Sequence, residues 1–438
     1  MTFEHQYYYS LVQKTFKFLI PEQKKILCYG VFDPHTIPSL KPSQVVSIAD
    51  ESSIKFKDYI PEQKFDYVIL NIALGMTDDI CELLKKIKLG CERHTRIVIH
   101  QENYMWEPFL KLAARLGLKK KENTKNWVSV SDIHSFLASS GFEPTRSFNK
   151  NILPMKLGFL GPVLNWWSCV LPIFDFLKLD QFIIARPLMQ DYFTEEEIRQ
   201  GVTICLTVRD EEANIAPLVK SLPELCPQQE ILFVEGHSKD ATVSEIKKMQ
   251  AQFPEKNIRL IHQSGIGQGD AIRAGFNQAK GNIVILYEGD GTSDPSDLFY
   301  VYDCMLKGYL EFVEGSRFCY PLSSESMPFI NKVGNVFFAK WFSLFLKQRT
   351  TDVLSGIKAV VKKDFKMIDQ TWGRLGVQDP FGDFELLYGA VRNGLKIGEV
   401  PIHYKPRTYG DSKTSVFRHG SYLLKMAMNG YWIFRSSK

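Results

Sequence analysis

Hydrophobic and polar positions divide the chain into two stretches, each with short apolar runs that alternate with amphipathic segments. Apolar runs in the first stretch predict strands at 25–29, 44–49, 65–71 and 95–100. The pattern restarts after 195–197, with runs at 202–207, 231–234 and 283–287. Runs without polar alternation are typical of strands covered on both faces, as in parallel sheets. Their alternation with helical segments predicts an α/β fold with two doubly wound domains.

The restart of the pattern sets the predicted domain boundary. The first domain is expected at 1–190, with an apolar insertion at about 157–174. A linker at 191–200 would lead to the second domain at 201–438, which closes with an amphipathic tail. The length of 438 residues agrees with two domains, since one domain usually takes roughly 100 to 200 residues.

Composition and charge narrow the class of protein. Hydrophobic residues make up 45% and charged residues 24% of the chain, as in folded globular proteins. The net charge of +5 is mild and spread along the chain, so that no nucleic-acid partner is expected. Eight cysteines occur without zinc-site spacing, and the first residues lack the features of a signal peptide. We therefore expect a cytoplasmic location.

Three successive strands of the second stretch end in acidic or glycine-rich loops. Glu235 ends one strand, the segment QSGIGQGDAIRAGF places spaced glycines before a helix, and the run 283–287 leads into EGDGTSDP. The carboxyl ends of parallel strands meet at one edge of a sheet, where ligands bind. The sequence thus predicts a shared ligand site at this edge.

Glu288 and Asp290 are the candidate metal ligands. Residues i and i+2 of an extended chain point the same way, about 6.6 Å apart, so two carboxylates can approach one cation. Mg²⁺ or Mn²⁺ would suit them, because such ions take one or two protein carboxylates and complete their shell with water and phosphate oxygens. The alternative is an acidic turn in which Thr292 or Asp294 caps a helix.

The order and spacing of these motifs resemble the family 2 glycosyltransferases, within them the group of dolichyl- and polyprenyl-phosphate sugar synthases, over about 201–413. The resemblance implies a GT-A domain in which EGDGTSDP is the metal motif. The residues implied in donor binding are Glu211 in TVRDEEANI, Glu235 in VEGHSKDAT, and Gly267 and Asp270 in GIGQGDAIRAG. Gly236 stands where the family has a second acidic residue.

Further motifs downstream carry the same resemblance. It implies catalytic roles for Asp290, for Arg317 in VEGSRF and for Glu385 in DFELL, and phosphate binding by Arg407 and Lys413 in EVPIHYKPRTYGDSK. A surface ion pair is the alternative for Arg317, and an exposed basic loop for Arg407 and Lys413.

The implied function is metal-dependent transfer of a sugar from a nucleotide-sugar donor to a polyprenyl or dolichyl phosphate or to a glycan. Charge develops on the leaving diphosphate, and a divalent ion would offset it. A lipid phosphate acceptor needs no base, because a phosphomonoester is mostly dianionic at pH 7. A hydroxyl acceptor would need one, and Asp383 and Glu385 are the candidates.

The first stretch resembles the class I methyltransferases that use S-adenosylmethionine, through ILCYG, VVSIAD, FDYVILNIALGMTDD and NWVSVSD. The resemblance implies a Rossmann-like domain in which Asp50 binds the cofactor's ribose. The first loop departs from the family, because CYGVFDPH has Cys28 in place of an acid and Gly30 as its single glycine. We expect a weakened or lost cofactor site. The alternatives are a bifunctional protein with an active methyltransferase, or a non-catalytic docking protein for glycan assembly.

Apolar segments raise the question of a membrane. Residues 157–174 carry no charge, but their glycines and prolines argue against a spanning helix. An insertion that is buried or lies at the membrane surface is expected, with Trp166 and Trp167 at a polar boundary. The segment 327–347 is rich in Phe but interrupted by lysines, which suits peripheral contact with the cytoplasmic face of a membrane. Core packing and a homodimer contact are the alternatives.

Overall fold

The computed structural model describes residues 3–48, 63–117, 124–322, 326–374, 379–407, 409 and 416–436, without the side chains of 3–5 and 416–419. The chain divides into two units. The first consists of Met1–Gln190 with Phe434–Lys438, and the second is Asp191–Ile433.

The first unit is built on a six-stranded sheet in the order β2-β1-β3-β4-β6-β5. Its strands are β1 (Lys25–Gly30), β2 (Gln44–Ile48), β3 (Tyr67–Asn71), β4 (Arg96–Glu102), β5 (Phe142–Lys150) and β6 (Asp180–Pro187). The first four run parallel, whereas β6 is antiparallel to both β4 and β5. The sheet is therefore mixed, and the prediction of a purely parallel sheet is wrong at this edge.

Helices connect these strands. Those of the first unit are α1 (Phe3–Leu19), α2 (Thr36–Ser39), α3 (Ala73–Met76), α4 (Ile80–Leu89), α5 (Glu107–Arg115), α6 (Val130–Ser139) and α7 (Leu160–Val170). Short 3-10 helices lie at Tyr104–Trp106 and Pro172–Leu177. Local chemistry fixes their starts: the Ser129 hydroxyl accepts from the Asp132 N–H in a reciprocal capping box at α6. The predicted insertion thus consists of α7 and the 3-10 helix after it.

The second unit has a seven-stranded sheet in the order β13-β11-β12-β10-β7-β8-β9. Its strands are β7 (Val202–Val208), β8 (Glu230–Glu235), β9 (Ile258–His262), β10 (Ile283–Glu288), β11 (Phe312–Ser316), β12 (Lys358–Val361) and β13 (Ile397–Pro401). Strand β12 is antiparallel to β10 and β11, and the other pairs are parallel. This sheet too is mixed rather than parallel.

The helices of the second unit are α8 (Glu195–Arg199), α9 (Glu212–Ser221), α10 (Thr242–Gln252), α11 (Gln268–Gln278), α12 (Leu298–Leu306), α13 (Phe329–Leu346), α14 (Lys362–Asp369), α15 (Asp383–Arg392) and α16 (Val416–Ser436). The end of α16, from Phe434, belongs to the first unit. Short 3-10 helices of the second unit lie at Pro254–Lys256 and Pro295–Asp297. The residues expected to form a linker, 191–200, belong to this unit. Tyr192 and Phe193 are buried in its core, and Thr194 caps α8.

Strand register brings the predicted acidic ends together. Glu288 lies opposite Thr207, Val208 opposite Glu235, and Glu235 opposite His262. The strands β10, β7, β8 and β9 are parallel neighbours, so their carboxyl ends meet at one edge, where loops carrying charge can converge. In the part of the chain that the structure describes, no helix combines the length and the apolar character needed to cross a membrane.

Candidate active site

Asp290 lies two residues beyond the last residue of β10, in a tight turn. Its Oδ1 accepts from the Thr292 N–H at 3.1 Å and from the Thr292 hydroxyl at 2.8 Å. Gly291 has a φ of +71°, which favours glycine, and it closes the turn. Oδ2 is left to face the site. The turn thus fixes one carboxylate oxygen and presents the other.

Arg407 contacts this free oxygen. Its Nη2 lies 2.6 Å from Asp290 Oδ2, and its Nη1 lies 3.5 Å from Glu211 Oε1. Glu211 is buried and held by the Asn214 amide, which donates to Oε2 at 2.6 Å. A guanidinium therefore bridges two carboxylates from different loops. The structure brings together three of the predicted residues, although the resemblance had assigned Arg407 to phosphate.

Glu288 is partly buried at the end of β10, where its Oε1 accepts from the Gln268 amide at 2.8 Å. A Cβ at Gly356 would lie 2.3 Å from the Glu288 carboxyl carbon, so only glycine fits there without a shift of Glu288. Burial, and then the negative charges of Asp290 and Asp383, raise the pKa of Glu288 to about 7. Glu288 and Asp290 thus share an edge but have different hydrogen-bond partners.

These two carboxylates fit an ion that needs few protein ligands. Among the described residues, no group of three or more His, Cys, Asp or Glu side chains is placed to hold a metal. A cage made only of protein is therefore not present in that part of the chain. Two carboxylates at a strand end match the way in which Mg²⁺ or Mn²⁺ binds together with a substrate phosphate.

The Glu235 carboxylate is held at the end of β8. Its Oε2 lies 2.8 Å from His262 Nδ1, and its Oε1 accepts from the Ser238 N–H. Although burial acts to raise it, the bonds from Ser238 and His262 keep the pKa of Glu235 below the ordinary value. A Cβ at Gly236 would meet its nearest atoms at 3.5 Å, an ordinary contact. The second acidic position therefore has room for a side chain.

The glycine-rich segment packs against the loop before α15. Gly267 has a φ of +97°, and a Cβ at Gly269 would lie 2.9 Å from the Asp379 carbonyl oxygen. Asp270 accepts from the Gly265 N–H at 2.8 Å and so holds its own loop. The structure gives Asp270 a supporting role, whereas Gln268 from the same segment contacts the metal motif.

Arg317 forms a buried bidentate pair with Asp352. Its Nε lies 2.6 Å from Oδ2, and its Nη2 lies 2.8 Å from Oδ1. The guanidinium also lies over the Tyr404 ring, 5.1 Å from its centroid. Arg317 is thus in an ion pair, as the alternative stated, but the pair is buried and not at the surface. Direct contact with a phosphate would have to use the face that Asp352 leaves free.

The two candidate bases at the start of α15 have different surroundings. Glu385 is buried and accepts from the Gly373 N–H at 3.1 Å, and burial raises the pKa of Glu385 to about 7. Asp383 lies 3.1 Å from the buried Lys358 Nζ, and its charge acts on Glu288. Asp383 is therefore the one whose charge reaches the metal motif.

Sequence reasoning assigned no role to several residues of this site. They are Gln268, His262, Lys358 and Asp379. Gln268 lies inside the motif GIGQGDAIRAG, and Lys358 lies in the segment TDVLSGIKA at 351–359, so both were visible in the sequence. Their partners were not, because the contacts join residues 20 or more positions apart. Asp379 accepts from the N–H groups of Phe384 and Glu385 and holds the start of α15.

Two predicted residues, Asp50 and Lys413, lie outside the described residues. The loop predicted to bind S-adenosylmethionine is described. Cys28 is buried, and burial raises the pKa of its thiol to about 12. Gly30 has a φ of +109°, and a Cβ there would lie 2.2 Å from the Asn71 carbonyl oxygen. The backbone at Asn71 is thus packed closely against this single glycine.

The polar groups at this edge of the first sheet bind one another. His100 Nδ1 lies 2.6 Å from Asn71 Oδ1, and His100 Nε2 lies 3.1 Å from Asp180 Oδ1. Tyr8 of α1 donates to the same Asp180 oxygen at 2.8 Å. Phe16, also on α1, packs edge-on against His100. The N-terminal helix therefore covers the strand ends where a cofactor would be expected.

Comparison with known proteins finds relatives of the second unit. Residues 203–371 match the model of Glycosyl transferase family 2. Glycosyltransferase AglJ of Haloferax volcanii is 29% identical over 193 residues, which are 43% of this chain and 59% of the relative. UDP-N-acetylglucosamine–dolichyl-phosphate N-acetylglucosaminyltransferase of Methanococcus voltae is 28% identical over 186 residues, 39% of this chain and 73% of the relative.

Among solved structures, glucosyl-3-phosphoglycerate synthase from Mycobacterium tuberculosis in complex with UDP aligns with a TM-score of 0.40 at 15% identity, over 57% of this chain and 86% of that chain. By the family match, residues 203–371 form a family 2 glycosyltransferase domain. The predicted family is confirmed for this part of the chain. The residues of this chain that align with AglJ span less than two thirds of the length of AglJ.

Proposed function

We propose that this protein transfers a sugar from a nucleotide-sugar donor to a polyprenyl or dolichyl phosphate, with a divalent metal ion at Glu288 and Asp290. One observation carries the proposal: Asp290, Glu288 and Glu211, all within the residues that match family 2, lie at one strand edge, and Arg407 contacts Asp290 and Glu211. Relatives whose names include dolichyl-phosphate transferases support this acceptor class. A glycan hydroxyl is the alternative acceptor.

Each side chain has a role in this proposal. Mg²⁺ or Mn²⁺ would be held by Asp290 and Glu288 and would supply positive charge for the leaving diphosphate. Glu211 and Glu235 lie on neighbouring loops and would orient the base and ribose. Arg407 would leave Asp290 when donor and metal enter and would then bind a phosphate, for which a planar guanidinium suits.

Arg317 acts in this proposal as a fixed positive charge beside the diphosphate. Its bidentate pair with Asp352 holds the guanidinium in place, which lowers the cost of ordering it when the donor binds. With a phosphate acceptor, no protein base is needed. With a hydroxyl acceptor, Glu385 or Asp383 would take the proton. A pKa of about 7 for Glu385 suits a base near neutral pH.

We propose a methyltransferase-like fold for the first unit, with the cofactor site lost. The alternation of strands and helices supports the fold, and the closed strand edge under α1 supports the loss. The bifunctional alternative predicts binding of S-adenosylmethionine. Titration of the intact protein with that cofactor separates the two, since saturable heat would contradict our proposal.

We propose peripheral contact with the cytoplasmic face of a membrane, in keeping with a lipid acceptor. Support comes from α13, which packs Phe342 against Phe384 and Tyr388 yet exposes Phe329 and Phe337. Lysines interrupt the exposed apolar positions, as in helices that lie at an interface. A homodimer through this face is the alternative, and light scattering of the purified protein decides between them.

The test of the transferase proposal is calorimetric titration of the intact protein with UDP-sugars and GDP-mannose, with and without Mn²⁺. Asp290→Asn is the matched variant, since it keeps shape and removes charge. We expect donor binding that requires the metal and is lost in the variant. Absence of binding for every donor would contradict the proposal and favour the docking alternative.

A further inference from the structure

An exposed apolar surface lies on the first unit, outside the family 2 domain. It is formed by α5 with its flanking residues, by α7, and by the 3-10 helix Pro172–Leu177. Phe109 is 65% exposed, Phe159 80% and Ile173 72%. Leu112, Trp166 and Phe176 on the same elements are exposed as well. Soluble domains rarely present so many large apolar side chains on neighbouring elements, and such patches mark interaction sites. We call this set the apolar face.

The two parts of the apolar face are tied to each other by hydrogen bonds. The Trp106 indole N–H, just before α5, donates to the Leu177 carbonyl at 2.9 Å. The Asn103 amide donates to the Phe176 carbonyl at 3.2 Å and to the Lys178 carbonyl at 2.9 Å. The turn that starts α5 therefore lies against the 3-10 helix, so these two elements with exposed apolar side chains are neighbours.

The polar side chains Asn165 and Asp175 of the insertion bind other residues of the first unit. Asn165 on α7 is buried and accepts from the N–H groups of Ile152 and Leu153 at 2.8 and 3.0 Å. Asp175 accepts from Arg435 and from Lys178, at 2.8 and 2.7 Å. These contacts fix the insertion as a built element. They also neutralise its single acidic residue, so that the outward side is left to apolar groups.

Charge around the apolar face decides what it binds. Between positions 103 and 121 the sequence has five basic residues and one acidic residue. The acidic one, Glu107, is paired with Lys111 one turn along α5. Arg115 lies in the last turn, and three lysines follow in the sequence. An amphipathic helix with basic residues and exposed tryptophans next to it matches the surface of an anionic bilayer.

We propose that the first unit docks this protein onto anionic lipid through the apolar face. Large side chains such as Phe109, Trp166 and Ile173 would enter the boundary between head groups and acyl chains, while Arg115 in the last turn of α5 binds a lipid phosphate. This role does not depend on the transferase proposal. It assigns a function to a unit whose own strand edge is closed.

The test is cosedimentation of the full chain with vesicles of phosphatidylcholine alone or with phosphatidylglycerol added. We expect binding to the anionic vesicles that weakens as salt is raised. The double variants Phe109→Ser with Leu112→Ser, and Trp166→Ser with Trp167→Ser, should each reduce binding by roughly tenfold or more, because each removes two inserting side chains. The matched control is Phe299→Ser with Tyr300→Ser, an exposed pair on α12 of the second unit, which should bind as the native protein does.

Circular dichroism and donor titration of each variant separate this proposal from the transferase proposal, since fold and donor binding should be unchanged. If a serine variant unfolds, Arg115→Glu replaces it and should lower binding to anionic vesicles alone. The proposal is overturned by a native protein that stays in the supernatant, or by apolar-face variants that bind fully. It is also overturned if the native protein binds no vesicles but forms a dimer that the variants abolish.

Discussion

Polar side chains at the strand ends of the two sheets have different kinds of partners in the two units. In the first unit, Asn71, His100, Asp180 and Tyr8 satisfy one another at the strand ends beneath α1. In the second, carboxylates at the strand ends are held by long side chains from other loops, such as Arg407 on Asp290. Long charged side chains can exchange one ionic partner for another, whereas a buried network cannot. The difference separates a strand edge that serves stability from one prepared for a ligand.

The largest loss of stability is expected at the strand ends of the first unit, which α1 covers and which we call the closed edge. Asp180→Ala removes an acceptor that is buried and shared by His100, Tyr8 and Asn151. Since each buried donor left without a partner costs about 1–3 kcal/mol, we expect the free energy of unfolding to fall by about 3–5 kcal/mol. Urea denaturation measures it. The affinity for the nucleotide sugar should not change. A folded variant that no longer binds the nucleotide sugar would contradict the comparison of the two units.

The matching change is Asp290→Asn, at the strand ends of the second unit, which we call the open edge. We expect metal-dependent donor binding and transfer to fall at least about a hundredfold, because a ligand of the proposed ion and its charge are lost. Thermal stability should stay within about 1 kcal/mol, since the amide keeps the bond from Thr292. Calorimetry and thermal unfolding are the measurements. A large loss of stability with donor binding intact would assign Asp290 to the fold.

We expect Glu288 to make binding of the proposed metal ion depend on pH. Its pKa is raised to about 7, so the carboxylate is mostly protonated below pH 7 and must lose a proton to bind a cation. We expect Mn²⁺ affinity to rise roughly tenfold per pH unit up to about pH 7 and then to level off. Glu288→Gln should abolish this slope, measured by titration of Mn²⁺ without donor. An equal slope in the variant would assign the titration to another group.

The same shift affects stability with a defined sign. The folded protein binds more protons than the unfolded chain between the ordinary pKa of 4.5 and about 7. The contribution of Glu288 to stability is therefore largest at low pH and falls as pH rises through that window. Glu385, with a pKa raised to about 7 by burial, acts with the same sign. Comparing Glu288→Gln with the native protein across this window isolates the first contribution.

Arg407→Gln is expected to have a smaller effect, in opposite directions for two ligands. Without Arg407, Asp290 loses a competing cation, so Mn²⁺ affinity in the absence of donor should rise by about tenfold, which is one broken ion pair of about 1.4 kcal/mol. Donor affinity should fall, because a phosphate ligand is lost. Arg407→Lys is the control that keeps the charge. If Mn²⁺ affinity falls in the glutamine variant, the bridge between Glu211 and Asp290 does not compete with metal.

The sequence predicted what depends on local pattern. Unbroken apolar runs located the strands, as with 283–287 inside β10, and carboxylates that follow such runs lie at the predicted edge. It did not predict the antiparallel strands β6 and β12, because strand direction is set by long connections and not by residue pattern. Nor did it predict that Arg317 pairs with Asp352 or that Arg407 bridges Glu211 and Asp290, since these contacts join distant loops.

Gly236 offers the smallest and most specific test, because here the sequence departs from the family it resembles. A Cβ at this position would meet only ordinary contacts, and no left-handed backbone requires glycine. Gly236→Asp should therefore fold normally and add a carboxylate beside Glu235. We expect donor affinity to rise by about two- to fivefold, as one exposed hydrogen bond to ribose or base adds about 0.5–1 kcal/mol.

Calorimetry with the donor that the native protein binds is the measurement, with Gly236→Asn as the uncharged control. Weaker binding by the aspartate variant alone would mean that the pocket avoids a second charge, and that donor recognition at this edge differs from the family pattern.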